Sequence, residues 1–164
     1  MAGIETKFQR SMTKALDKTN AEHFNIHGHA FQRSGWPDHF IAHELFTGFV
    51  ELKIPSGKES AIQRKRRFSL CEKGVVSVLV VFTPFETGSV RRGELQIVGL
   101  DGECSLDPPL RWDAQRNDMG VQLLQWLNEA EVALREDGDV KTSARNGLIR
   151  WLRLPKDQLT KLVR

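Results

Sequence analysis

Residues 75–82 read Val-Val-Ser-Val-Leu-Val-Val-Phe, an almost uninterrupted apolar run rich in β-branched side chains. A strand with one face in water alternates apolar and polar residues, and this one does not, so it should be covered on both faces. The rest of the chain therefore has to be arranged around a central strand.

Its neighbours supply suitable pieces. Between residues 4 and 16, Ile4, Phe8, Met12, Ala15 and Leu16 recur at helical spacing, with Glu5, Lys7, Arg10 and Lys14 on other faces, which predicts an amphipathic first helix. Residues 23–31 alternate, with Phe24, Ile26, Gly28 and Ala30 on one side and His23, Asn25, His27 and His29 on the other, as a half-buried strand does. Residues 40–46 and 49–54 are apolar-rich and separated by Thr47 and Gly48, so they predict a hairpin. After the break at Pro55, Ser56 and Gly57, residues 61–73 read as a helix capped by Gly74. Helix, strand, hairpin, helix and buried strand in this order describe an α/β domain on a mixed sheet.

Beyond Pro84 a strand is expected at 94–100, a loop at 101–117, a helix at 121–135 and further helical turns at 147–154 and 157–163. The 121–135 helix carries Leu123, Leu127, Ala130 and Leu134 on one stripe with Trp126 beside it. That pattern suits packing within its own domain better than a dimer surface. The expectation is a single domain, with a core at about 3–84 and a helical C-terminal extension at about 85–164.

With 164 residues the chain can bury a core without disulfides. Cys71 and Cys104 lie far apart and read as reduced structural residues. No apolar run is long enough to span a bilayer and no secretory signal precedes the first helix, so an intracellular, cytoplasmic protein is expected. A formal net charge of +3 permits nucleic-acid binding without arguing for it.

Chemistry concentrates on the hairpin. Asp38 follows Pro37 at the start of one strand, and Glu51 and Lys53 alternate on the next, so the latter two share a face. Unpaired charge is costly to bury, and two facing carboxylates repel unless a cation lies between them. Oxygen ligands suit Mg²⁺ or Mn²⁺. Such a metal, with Lys53 to neutralise charge on phosphorus oxygens, is what phosphodiester hydrolysis needs. Taken alone, an acidic residue two positions before a lysine reads more often as a surface ion pair.

The wider pattern weighs against that bland reading. Gly35-Trp36-Pro37-Asp38 followed by Glu51-Leu52-Lys53 resembles the PD-(D/E)xK signature of restriction-endonuclease-like nucleases. Gln63, Leu70 and Gly74 downstream, and Glu5, Phe8 and Gln9 in the first helix, resemble the VRR-NUC family within it, over roughly residues 5–82. Arg66 and His39 depart from that family's usual apolar residues.

The resemblance implies a restriction-endonuclease-like core of order α-β-β-β-α-β. Asp38, Glu51 and the main-chain carbonyl of Leu52 would bind Mg²⁺, with Mn²⁺ able to substitute. Lys53 would hold or activate the attacking water, and Gln63 would support the site. Glu5 would be a further metal carboxylate, or simply a glutamate favoured by the helix dipole. Arg64, Arg66 and Arg67 would face the phosphate backbone, or form a solvated charged face.

The implied activity is a structure-selective DNA endonuclease similar to Holliday-junction resolvases, which act as homodimers, and the family suggests a phage or mobile-element source. RNA cleavage and a non-catalytic nucleic-acid-binding module stay open. The five histidines, His23, His27, His29, His39 and His43, invite a zinc reading, but their spacing is not that of a tetrahedral site.

Overall fold

The computed structural model describes residues 3–26, 34–100 and 109–141. They form a mixed α/β fold: a six-stranded sheet in sequential order β1 to β6, with three helices. The strands are β1 (Glu22–Asn25), β2 (His39–Ala42), β3 (Thr47–Lys53), β4 (Ser77–Pro84), β5 (Arg92–Val98) and β6 (Leu110–Asp113). The helices are α1 (Ile4–Leu16), α2 (Ala61–Glu72) and α3 (Met119–Glu136).

All neighbouring strands are antiparallel except β3 and β4, which run parallel because α2 carries the chain back between them. The apolar run is β4 at the centre of the sheet, with Val78, Leu79, Val80 and Phe82 all buried.

The pairing register separates the two faces. Val50, Leu52, Val78, Val80, Phe82, Leu95, Ile97 and Trp112 point to one side and form the main core with α1 and α3. There the Phe8 ring stacks on Phe82 at 4.1 Å, and Trp112 meets it edge-on at 5.0 Å. Helix α3 buries Leu123, Leu124, Trp126 and Leu127, and Gly120 lets its first turn touch the Ala15 carbonyl of α1, where a Cβ would collide. The other face carries Phe49, Glu51 and Lys53 beside Ser77, Leu79 and Val81, and α2 covers it. Helix α2 ends as expected: Gly74 has φ +79°, and Val75 N–H bonds the Leu70 carbonyl.

Three expectations change. Residues 110–113, placed in a loop, form β6, because pairing with β5 puts Trp112 opposite Gly93 and buries it. Among the described residues the segment after Pro84 thus holds one strand more than the single strand and the helix expected; residues 142–164, which include the helical turns expected near the C-terminus, lie outside the described residues. In β1 the outward residue is Phe24, 57% exposed, while His23 turns inward. On this edge strand the Phe24 ring lies beside Phe40, at 5.5 Å between rings.

Candidate active site

The β2–β3 register puts His39 opposite Val50, which brings Asp38 level with Glu51 on the face covered by α2. Both carboxylates are buried, Asp38 at 3% exposure and Glu51 at 2%. They are tied through the backbone: Asp38 N–H donates to Glu51 Oε2 at 3.1 Å, and Leu52 N–H donates to Asp38 Oδ2 at 2.9 Å. Gly35 makes the approach to Asp38 possible. It has φ +88°, and a Cβ there would run into Ile62 of α2, its carbonyl oxygen included.

Helix α2 supplies the third side. Ser60 caps it, accepting the Gln63 N–H at 3.2 Å, while Gln63 Oε1 accepts the Ser60 N–H at 2.9 Å. With its oxygen so engaged, the Gln63 amide turns Nε2 toward Glu51 Oε1, at 2.7 Å. The capping box thus starts the helix and orients a site residue. Lys53, at the end of β3, reaches the same Glu51 oxygen at 3.2 Å and Glu5 of α1 at 3.8 Å.

Electrostatics follow from this packing. Burial, and then the neighbouring Asp38 charge, raise the Glu51 carboxyl from 4.5 to about 7, against the lowering pull of Lys53. For Lys53 burial disfavours the ammonium, but Glu51 more than offsets it with help from Glu5 and Asp38, so its pKa is raised. Lys53 is held as a cation, suited to stabilising anionic charge rather than removing a proton. The two carboxylates carry more negative charge than their surroundings solvate, which is the condition a hard divalent cation relieves. Asp38 and Glu51 are the two carboxylates such an ion would bridge; among the described residues no group of three or more His, Cys, Asp or Glu side chains gathers as a metal site.

The structure therefore brings Asp38, Glu51, Lys53 and Gln63 together. Glu5 joins them through Lys53. The three arginines part company. Arg67 is a correction: it is buried, with Nε and Nη2 on the two Glu59 oxygens at 2.8 and 3.0 Å and Nη1 reaching the Val98 carbonyl at 3.4 Å. It anchors α2 to the sheet and does not lie on a basic face. Arg64 is exposed, near Phe68 and the Leu100 carbonyl. Arg66 lies over the Trp36 ring at 4.7 Å.

Trp36 begins a row of aromatic contacts that the sequence did not suggest, running through Phe49 and Phe40 to Phe24 beside the carboxylates. Alternation placed Phe40 and Phe49 in strands, but only the register shows that they stand opposite one another.

Of the histidines, His23 bridges Asp17 at 2.7 Å and His39 at 3.1 Å, and His43 meets Asn20 at 2.7 Å. Burial, with His23 nearby, lowers His39 to about 4. His39 and His23 lie on the α1 side of the sheet, away from Glu51. His27 and His29 fall outside the described residues.

Compared with known proteins, the chain matches no family model, no curated protein and no solved structure. No helix among the described residues is long and apolar enough to cross a membrane.

Proposed function

We propose that the chain is a metal-dependent nuclease of the PD-(D/E)xK kind, with a restriction-endonuclease-like core and DNA as its substrate. One observation carries this reading: two buried carboxylates, Asp38 and Glu51, stand side by side with a half-buried lysine and an oriented glutamine on one of them. A merely structural ion pair needs one acid for one base. The second buried acid adds repulsion that a core would not retain without use.

In this reading Asp38, Glu51 and the Leu52 carbonyl hold Mg²⁺ or Mn²⁺, which supplies Lewis-acid polarisation of a phosphate and a more acidic bound water. Gln63 keeps Glu51 Oε1 in place, and the Asp38 and Leu52 N–H groups fix the remaining carboxylate geometry. Lys53, kept protonated by its acidic neighbours, stabilises charge on the phosphorus oxygens and orients the attacking water. Glu5 holds Lys53 from the far side. Arg66 and Arg64, at the outer edge of α2, contact the phosphate backbone.

The resemblance of its sequence motifs to those of VRR-NUC enzymes favours branched DNA cut by a homodimer, since symmetric cutting of a four-way junction needs two sites about a two-fold axis. The test is a cleavage panel of linear, nicked, flapped and four-way-junction DNA, with RNA beside them, in Mg²⁺ and in EDTA. Metal-dependent cutting of branched DNA supports the proposal. Binding to DNA with no cutting under any condition would replace it with the non-catalytic module, and cutting of RNA alone would move the substrate to RNA.

A further inference from the structure

A second charged feature lies outside the carboxylate site. An open groove of about 870 Å³ runs between α1, the β4–β5 turn and the β6–α3 turn. Six cations line it, Lys7, Arg10, Lys14, Lys18, Arg91 and Arg116, against the single acid Asp17, which is engaged with His23.

The four from the first segment form a stripe. Successive steps of three, four and four residues keep Lys7, Arg10, Lys14 and Lys18 on one side of α1 and its C-terminal turn, turned away from the buried Phe8, Met12 and Leu16. None of these four is in an ion pair among the described residues. Uncompensated like charge held in a row costs free energy, so it calls for an anionic partner.

The dimensions select the partner. From Lys7 to Lys18 the stripe rises about 16 Å at the helical repeat, close to five nucleotide steps of duplex. That exceeds what one small anion occupies. Among the groove-lining residues the uncharged ones are small, such as Ala15, Val90 and Ala114, and none is aromatic. Single-stranded binders stack bases on aromatic rings, whereas a duplex keeps its bases stacked within and meets cations through its phosphates.

Position completes the argument. Lys53 ends β3 beside Val81 of β4, and the β4–β5 turn begins after Pro84, roughly 10 Å further along the strand. The groove thus adjoins the end of the sheet at which Lys53 stands, while α1 itself packs on the face opposite Glu51.

We infer that the groove between α1 and the β4–β5 turn is a duplex-binding tract that grips the phosphate backbone of a nucleic-acid arm, distinct from the carboxylate site. The inference rests on the nucleic-acid reading of that site and extends it to an arm of the substrate.

The test measures binding of fluorescent duplex DNA by anisotropy in EDTA across salt concentrations, so that cleavage plays no part. The variant Lys7→Gln/Arg10→Gln/Lys14→Gln/Lys18→Gln is compared with the parent and with Lys73→Gln/Lys141→Gln, which removes two exposed cations outside the groove. The groove variant should bind at least tenfold more weakly at about 0.1 M salt, with a log K against log salt slope shallower by about one per cation removed. The control should match the parent, and circular dichroism should show all three folded.

Equal binding by groove variant and parent overturns the inference, as does a parent that ignores duplex but binds single strands or anionic vesicles. Groove-dependent binding by a protein that cuts nothing upholds the inference and removes the nuclease reading instead.

Discussion

Replacing Glu51 by glutamine should make the metal-free protein more stable at pH 8. An unfolded chain ionises this glutamate near 4.5, but the folded protein holds the proton until about 7, because burial and Asp38 disfavour the charge. Between these values the folded state binds more protons, so stability is full below 4.5 and falls as pH rises through 7. The interval corresponds to about 3 kcal/mol at pH 8.

Glutamine removes that penalty, but with its oxygen accepting from the Asp38 N–H its NH2 faces the Gln63 Nε2 donor and Lys53, both of which the carboxylate had accepted from. A net gain of about 1 kcal/mol remains, a rise of roughly 3 °C in Tm for a domain of this size. The assay is thermal or urea unfolding in EDTA at pH 8 and pH 5, then with Mg²⁺. The gain should vanish at pH 5, and Mg²⁺ should stabilise the parent but not Glu51→Gln. A variant no more stable than the parent at pH 8, or a gap unchanged at pH 5, would refute the claim that the carboxylates strain against each other.

Ser60→Ala removes the hydroxyl that accepts the Gln63 N–H but keeps the Ser60 N–H that holds the Gln63 amide oxygen. It should cost about 1 kcal/mol in urea unfolding and slow DNA cleavage less than Gln63→Ala, which removes the amide itself. Gly35→Ala sets a Cβ at positive φ against Ile62 and should destabilise by about 1–3 kcal/mol in the same assay. His39 titrates at about 4 when folded and near 6.5 when unfolded, so its contribution is complete above 6.5 and is lost as pH falls through 4, about 3 kcal/mol in all. His39→Gln should therefore flatten the acid limb of the stability profile relative to the parent.

Much of this fold was legible because local pattern and tertiary need agree. Helix α1 spans the residues its apolar spacing marks out, and β4 lies where an unbroken apolar run requires cover on both faces. The alternation of Glu51 and Lys53 put both on one side of β3, and the helix start at Ala61 followed from the Pro-Ser-Gly break and a helix-forming run.

What escaped depends on partners distant in sequence. Strand β6 is four residues long and owes its existence to β5. Arg67 sits in a run of cations that looks solvated, and only the arrival of Glu59 and Val98 shows it buried. The α1 stripe was visible as polar residues, but a groove exists only where the β4–β5 and β6–α3 turns close on it.

The most direct test of the central claim is the single-turnover cleavage rate of a four-way-junction DNA in Mg²⁺ by the parent and by Lys53→Ala, both confirmed folded. Loss of the lysine charge from the transition state should slow cleavage by about 10²–10³-fold, with DNA binding in EDTA changed far less. A Lys53→Ala protein that cuts as fast as the parent would place the chemistry somewhere other than Asp38, Glu51 and Lys53.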